Sequence, residues 1–294
     1  MTTKHYLLIL PLVALLASCG GDEPEQNTID EEVFDPNSSL NTVFDGKIFS
    51  IPSPVQTAYL IKQLDLSFDA SLLNDDKNAT SYVSEHQQAL NLGVYGTDLG
   101  YSTLYDQKNI SMRYLNAVEK LSSQLGLDAA FNSSLISRFE QNSGIEDSMI
   151  MLMSDAFKQA DIFLKNDNRK STSALILTGG WVESIYLACE LNKKKSSEDI
   201  KRRIAEQKMS LSSVIELLET YNKGGSNDAL ITDLKDLKTT FDKITFNYEY
   251  SAPETDTEEK LTTFHHTLDA DFNDETLNEI TEKLKKIRNT IIKA

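Results

Sequence analysis

The sequence is poor in the residues from which disulfide frameworks, metal sites and nucleophilic active sites are built. It has two cysteines, Cys19 and Cys189, and four histidines in 294 residues. Two cysteines cannot form a disulfide framework, and no His-x-x-x-His or Cys–His spacing typical of zinc ligands occurs. A Gly-x-Ser-x-Gly elbow and a phosphate-binding glycine loop are also missing. These absences predict a protein that is not an enzyme and that needs no metal or cofactor.

Positive charge is scarce as well. The chain has 29 Lys and Arg against 45 Asp and Glu, a net charge of −16. Removing the first 18 residues, which carry only Lys4, takes the net charge to −17. Such a charge disfavours nucleic acid and anionic lipid as main partners. It suits an extracytoplasmic protein that self-repulsion keeps in solution.

Basic side chains gather in one patch. Either they complement a helix C-terminus and form a solvated face, or they dock an acidic partner, which would be another envelope protein. The patch consists of Lys193, Lys194, Lys195, Lys201, Arg202, Arg203 and Lys208.

The N-terminal residues carry the most specific motif. A short basic segment and an apolar run from Tyr6 to Ala17 have the pattern of a signal peptide over residues 1–18. The run ends in Leu16-Ala-Ser-Cys19, which resembles the lipobox of bacterial lipoproteins. That resemblance implies cleavage before Cys19 and a lipid anchor, such as palmitate, on its thiol. The alternative is a secretory signal with an incidental cysteine. The residue directly after Cys19 is Gly20, whereas an Asp at that position would signal retention in the inner membrane. We therefore expect an outer-membrane lipoprotein.

Residues 19–50 have the composition of an acidic flexible tether. Between Gly20 and Ser50 there are eight acidic residues and one Lys, too little apolar surface to offset ordering entropy. Val33-Phe34 and Val43-Phe44 are positions where the tether could dock. The acidic cluster at Asp22-Glu23 resembles the surface-export signal of Bacteroidota lipoproteins. Alternatively, it is only a solvated spacer. The protein could therefore face either the periplasm or the cell surface.

Residues 51–294 are predicted to form a single, mainly all-α domain. Ser171–Lys195 is apolar on nearly every side, which is typical of a helix buried by its neighbours. Its Gly pair and carboxylate make it a poor membrane span. We therefore expect a multi-helix bundle around this buried central helix. Apolar periodicity predicts the other helices near 53–64, 80–105, 111–125, 129–140, 146–164, 196–221, 228–242 and 276–292. Alternation over 243–250 predicts a strand that forms a small β-hairpin with 261–268.

Glycines in the second helix point to a close helix contact. Gly93, Gly96 and Gly100 share one face, and each costs about 1 kcal/mol of helix stability relative to Ala. Either that face packs on Gly179-Gly180 of the central helix, or a ligand sits against the bare backbone. In the second case a pocket would lie between the helices at 80–105 and 171–195. Its lining would comprise Tyr95, Asp98, Tyr101, Trp181 and Glu183.

Two acidic motifs have structural alternatives. Glu183 is expected inside the bundle, where a carboxylate must be paired or protonated. It either pairs with a residue such as Arg113 or lines a polar cavity. Asp269–Glu275 imitates half of a calcium loop but lacks the required Gly and the final Glu, so a helix cap at Asn273 explains it better.

Three segments together carry a resemblance to a family. Pro52-Ser-Pro54, Ala89–Tyr101 (ALNLGVYGTDLGY) and Leu177-Thr-Gly-Gly-Trp181 with Glu183 are similar to an uncharacterised family of Bacteroidota envelope lipoproteins. The resemblance implies a helical ectodomain and brings no known activity. We thus expect a lipid-anchored binding or structural module, with a small-ligand binding protein as the alternative.

Overall fold

The computed structural model describes residues 41–51, 62, 67–131, 133–142, 145–256, 261–263 and 267–293. It is 71% helical and 9% strand, which confirms the mainly all-α class. The signal segment, Cys19 and most of the helix predicted at 53–64 lie outside the described residues.

Eight α-helices are described. They are α1 (Glu85–Leu104), α2 (Lys108–Gln124), α3 (Ser133–Gln141), α4 (Glu146–Asn166), α5 (Lys170–Lys194), α6 (Glu198–Thr220), α7 (Asp228–Phe241) and α8 (Asp274–Ile292). The strands are β1 (Asn41–Phe44), β2 (Lys47–Ser50), β3 (Thr245–Glu249), β4 (Glu254–Asp256), β5 (Leu261–Thr263) and β6 (Thr267–Asp271).

The predicted central helix is α5. Between Thr172 and Asn192 all its side chains except Leu177 and Glu190 are buried. Within the described part of the chain it is long and apolar enough to cross a membrane, but 89% of that apolar window is buried in the protein. Helix α1 is its main neighbour and runs parallel to it, because Glu85 meets Thr172 and Gly93 meets Gly180. Helix α8 is antiparallel to α5 and therefore to α1, since its Glu282 meets Lys193 and its later Arg288 meets the earlier Glu183. Its Ile291 carbonyl accepts from Asn91 of α1.

Helix α1 begins at Glu85 instead of near residue 80. Ser84 and Gln87 form a capping box, in which each side chain bonds the other's backbone N–H. The preceding Asp76–Thr80 segment is a separate 3₁₀ turn capped by Asp75. A capped turn and a capped helix thus replace one longer predicted helix.

Part of the predicted tether is folded. Strands β1 and β2 form an antiparallel hairpin across Asp45-Gly46, both with positive φ as a tight hairpin turn requires. Of the two predicted docking positions, Val33-Phe34 lies outside the described residues; at the other, Phe44 is buried and packs against Tyr221, whereas Val43 is exposed. Asp45 pairs with Lys170, at the start of α5. Residues 41–50, predicted to lie in the tether, are therefore part of the described fold.

A second antiparallel arrangement, the ribbon (β3–β6 and β4–β5), joins α7 to α8. In it Thr245 lies opposite Asp271 and Glu254 lies opposite Thr263. Strands are thus present near 243–268 as predicted, but β3 pairs with 267–271 and not with 261–268 as a whole. Strands β4 and β5 pair as a separate two-stranded sheet within the connecting segment.

Candidate functional site

Two of the predicted site residues meet at the centre of the bundle with a third group from α8. Asp98 on α1, Glu183 on α5 and Arg288 on α8 are all buried. The parallel alignment of α1 and α5 places Asp98 beside Glu183, and antiparallel α8 brings Arg288 across from both. We call these three residues the central cluster.

Arg288 and Glu183 form a bidentate ion pair. Arg288 Nε donates to Glu183 Oε2 at 2.9 Å, and an Nη2 hydrogen is donated to Oε1 at 2.8 Å. The same nitrogen also donates to the Leu72 carbonyl at 3.1 Å. The guanidinium lies over the Tyr186 ring, 4.6 Å from its centroid. Parallel N–H donors matched to both carboxylate oxygens are the strong form of such a pair.

Arg113, suggested above as the partner of Glu183, is not that partner. It is exposed and pairs with Asp76 instead, at 3.2 Å. The sequence did contain a signal for Arg288. It lies four residues after Leu284 and three before Ile291, within the apolar seam of α8, so it faces the core.

The carboxyl group of Asp98 is best described as protonated. Burial and the neighbouring charge of Glu183 raise its pKa well above the usual value, and the opposing effect of Arg288 is smaller. Asp98 Oδ2 accepts from the Asn74 N–H at 3.1 Å, whereas Oδ1 has no hydrogen-bond partner. A proton on Oδ1 resolves this, because it can donate to Glu183. The guanidinium of Arg288 then pairs with the carboxylate of Glu183, and the carboxyl group of Asp98 is neutral.

Asn74 links the central cluster to the segment before α1. Its amide Nδ2 donates to the Tyr82 hydroxyl at 3.0 Å, and its carbonyl accepts from the Tyr114 hydroxyl at 2.8 Å. The Tyr82 hydroxyl in turn donates to the last-turn carbonyl of Ile292 at 3.0 Å. These bonds satisfy otherwise orphaned backbone groups and fix the 69–82 segment against α2 and α8.

The two predicted tyrosines hold the same segment rather than pointing to solvent. Tyr95 donates to the Asp75 carbonyl at 2.8 Å, and Tyr101 accepts from the Asp69 N–H at 3.1 Å. Burial raises the pKa of both hydroxyls, that of Tyr101 to about 12. Both phenols therefore stay protonated at neutral pH.

Trp181 lies on another side of α5. Its Nε1–H donates to Gln207 of α6 at 3.2 Å. Side chains two residues apart on an α-helix point in directions that differ by about 200°, so Trp181 and Glu183 face different neighbours. The structure thus brings Asp98 and Glu183 together and places Trp181 apart from them.

The glycines hold α1 and α5 in backbone contact. A Cβ on Gly93 would lie 2.0 Å from the Ile176 carbonyl oxygen, and one on Gly179 would lie 1.9 Å from that of Leu90. Gly96 differs from the prediction, because its missing Cβ makes room for the Phe157 ring of α4. At the level of Gly93 and Gly179 the two backbones leave no room between them for a ligand.

The described residues contain no group of three or more His, Cys, Asp or Glu that could hold a metal ion. At Asn273 the structure has a helix cap, whose side chain accepts from the Thr276 N–H. Cys189 is buried, and burial raises its pKa to about 12.

The basic patch has local acidic partners. Lys193 pairs with Glu190 and Glu282, Lys194 pairs with Asp69, and Lys201 pairs with Glu198 and Asp274. Arg202 and Arg203 pair one turn along α6 with Asp199 and Glu206. These pairs give the patch little net positive charge with which to attract an acidic partner.

No protein-family model, curated protein or solved structure matches this chain. The resemblance to Bacteroidota envelope lipoproteins therefore stays a prediction from the sequence.

Chemically, the central cluster is suited to holding helices together. Its three charged or ionisable side chains are at most 7% exposed, and their polar atoms mostly bond to each other or to the backbone. A buried, paired cluster of this kind fixes the relative position of α1, α5 and α8.

Proposed function

We propose that this chain is a lipid-anchored cell-envelope protein, held at the outer membrane through Cys19. In this proposal the helical domain acts by binding or structural association, not by catalysis. The observation that carries the anchor is Leu16-Ala-Ser-Cys19 directly after an apolar run. Two or three acyl chains, at about 0.8 kcal/mol per buried CH₂, would hold a domain of this size at a membrane.

The interior of the domain supports a role in association. The predicted pocket residues are buried, and each has a hydrogen-bond partner within the protein; for Tyr95, Asp98, Tyr101 and Trp181 that partner is a backbone group or an uncharged side chain. The fifth, Glu183, is held by Arg288. Because these groups are engaged inside the domain, a partner would meet its outer surface more readily than its centre.

Metabolic labelling with a palmitate analogue tests the anchor. We expect the label on the mature chain and its complete loss in Cys19→Ser. Cys189→Ser is the matched control, because it removes the buried cysteine and should keep the label. An unlabelled wild-type chain, or a label that survives Cys19→Ser, would refute the proposal.

A further inference from the structure

Residues 69–82 form a strap over the central cluster. The strap contains no α-helix and has only two short 3₁₀ turns. Its backbone is held by side chains of the bundle. Tyrosine hydroxyls of α1 and α2 bond to backbone groups of Asp69, Asn74 and Asp75. The strap is therefore attached to the helices mainly through its main chain, although Leu72 and Leu73 are also buried.

Two backbone groups of the strap reach the charged side chains themselves. The Asn74 N–H donates to Asp98 Oδ2, and the Leu72 carbonyl accepts from Arg288, each at 3.1 Å. Arg288 already pairs with both carboxylate oxygens of Glu183, and Asp98 Oδ1 has no hydrogen-bond partner. The strap thus lies against one cation and two carboxyl groups, whose charge balance depends on one proton.

The titratable side chains around Asp98 come from every element packed against it. They are Tyr95 of α1, Tyr114 of α2, Glu183 and Tyr186 of α5, Arg288 of α8 and Tyr82 of the strap. Burial raises the pKa of each of these tyrosine hydroxyls, so they stay neutral at neutral pH. Glu183 and Arg288 balance each other in their ion pair. Loss of the Asp98 proton would therefore add a negative charge that no further cation in this set balances.

The strap is the element that can move away from such a charge. Helices α1 and α5 are in backbone contact at Gly93 and Gly179, and α8 is tied to α5 by the bidentate pair of Arg288. Separating these helices would disrupt the core, whereas lifting the strap opens a short segment without an α-helix. Segments of this kind open with less free energy than packed helices.

We propose that the strap is a proton-linked lid over the central cluster. It is closed while Asp98 is neutral and opens locally when this carboxyl group ionises, so that water reaches the cluster while α1, α5 and α8 stay packed. The strap moves because a buried charge without a partner needs hydration. Access to the centre of the domain then depends on pH. This device is separate from the proposed binding role and does not depend on the lipid anchor.

The direction of the pH dependence follows from the two states of Asp98. In the closed state burial and the charge of Glu183 raise its pKa well above 3.8, and in the open state water returns the pKa toward that ordinary value. Opening therefore releases a proton. The ratio of open to closed strap should rise by up to about 10-fold per pH unit above pH 3.8, until the raised pKa is passed.

Hydrogen exchange of the full chain in detergent, between pH 5 and pH 8, tests the lid. Protection factors compare each amide with its exchange in an unstructured peptide at the same pH, and they report the ratio of closed to open states. In the wild type we expect the protection of strap amides, such as that of Asn74, to fall by up to about 10-fold per pH unit. It should stay below the protection of α5 throughout. Equal protection in the strap and in α5 would mean that the strap opens only with the whole domain, and would overturn the inference.

Asp98→Asn removes the proton switch and keeps the shape of the protonated acid. Because the amide cannot ionise, the protection of the strap should become independent of pH. Asp128→Asn is the matched control, since it removes an exposed carboxylate elsewhere and should keep the wild-type slope. A wild-type slope in Asp98→Asn, or a flat profile in the wild type, would overturn the inference.

Glu183→Gln is a second variant of the same switch. It removes the neighbouring negative charge and leaves Arg288 available to an ionised Asp98. The protection of the strap should then depend less on pH than in the wild type. An unchanged slope would contradict the coupling of Asp98 to Glu183 on which the lid depends.

Trp181 shows whether the helices stay packed. It is the single tryptophan of the chain and is buried against α6, where it donates to Gln207. Its emission spectrum should stay constant between pH 5 and pH 8 while the protection of the strap falls. A red shift that follows the loss of strap protection would show that the helices separate as well, and would overturn local opening.

Discussion

At the residue scale, the protonation of Asp98 is linked to folding. Its pKa in the folded protein is raised by burial and by the charge of Glu183. The folded chain therefore keeps a proton that the unfolded chain releases above pH 3.8, the usual pKa of this carboxyl. While Asp98 is protonated in the folded chain and ionised in the unfolded chain, the free energy of unfolding falls as pH rises. The fall is up to about 1.4 kcal/mol per pH unit and ends when the raised pKa is passed.

Asp98→Asn tests this linkage. The amide has the shape of the protonated acid, can still accept from the Asn74 N–H and can donate to Glu183. We expect the variant to lose less stability than the wild type between pH 5 and pH 8 in urea unfolding. Comparing the two chains cancels other titrating groups such as His86, whose pKa is lowered by burial. Parallel pH profiles would show that Asp98 is ionised in the folded state.

Arg288→Met tests the ion pair. Removing one partner of a buried pair leaves an uncompensated charge on Glu183, and we expect a loss of about 3–5 kcal/mol in the free energy of unfolding. Arg288→Met with Glu183→Met removes both charges and should recover part of that loss. Arg113→Met is the control at an exposed pair and should change stability by no more than about 1 kcal/mol. A double variant as unstable as Arg288→Met alone would contradict this account.

The sequence predicted that Glu183 is buried in this site, but it did not predict that Arg288 is its ion-pair partner. The apolar surroundings of Glu183 in the chain were enough to predict its burial. Its partner lies 105 residues away, and helix packing, which local periodicity does not contain, decides which cation reaches it. Arg288 was missed because a charged residue in an apolar seam is usually interpreted as a boundary of that seam.

At the scale of elements, the contact of α1 with α5 depends on two glycines. Each costs helix stability, so glycines inside two long helices are by themselves an indication that the helices approach closely. The register of that contact was predictable for Gly93 and Gly179. Gly96 was assigned to the wrong neighbour, because the sequence does not say that Phe157 of α4 fills the adjacent space.

Gly179→Ala and Gly96→Ala form a matched pair. At Gly179 the new methyl group meets the Leu90 backbone, so the helices must separate. We expect a loss of about 1–3 kcal/mol or more, despite about 1 kcal/mol gained in helix propensity. At Gly96 the methyl group meets the Phe157 ring, which can rotate away, so the loss in urea unfolding should be smaller. A larger loss at Gly96 than at Gly179 would contradict the backbone contact.

The strand register was only partly predictable, because local alternation identifies a strand but not the strand with which it pairs. Alternation over 243–250 indicated β3, but the partner strand is fixed by the length of the connecting segment. Because β4 and β5 pair within that segment, the partner of β3 moves to 267–271.

At the scale of the whole molecule, burial predicts an ordered hierarchy of stability. Helix α5 is buried along most of its length, whereas the side chains of Glu254, Thr262 and Thr263 in β4 and β5 are exposed. Regions with few buried apolar contacts open with less free energy than the core.

Native-state hydrogen exchange tests this hierarchy. We expect α5 amides to exchange only through global unfolding and β4–β5 amides to exchange fastest among the strands. The β1–β2 pair is a matched control of similar length, and its buried Phe44 and Phe49 should make it slower than β4–β5. Equal rates in the two strand pairs would contradict the account.

The position of the β1–β2 hairpin determines how the domain responds to tension. A pull on the described chain at Asn41 acts first on Phe44 and on the contact of Asp45 with Lys170. The hairpin has few contacts compared with α1 and α5, so it is expected to detach while the helices stay folded. Each detachment would release about ten residues, roughly 35 Å when extended, on the N-terminal side of the bundle. If the chain is anchored through Cys19 as proposed, tension would thus detach this hairpin before it unfolded the helices.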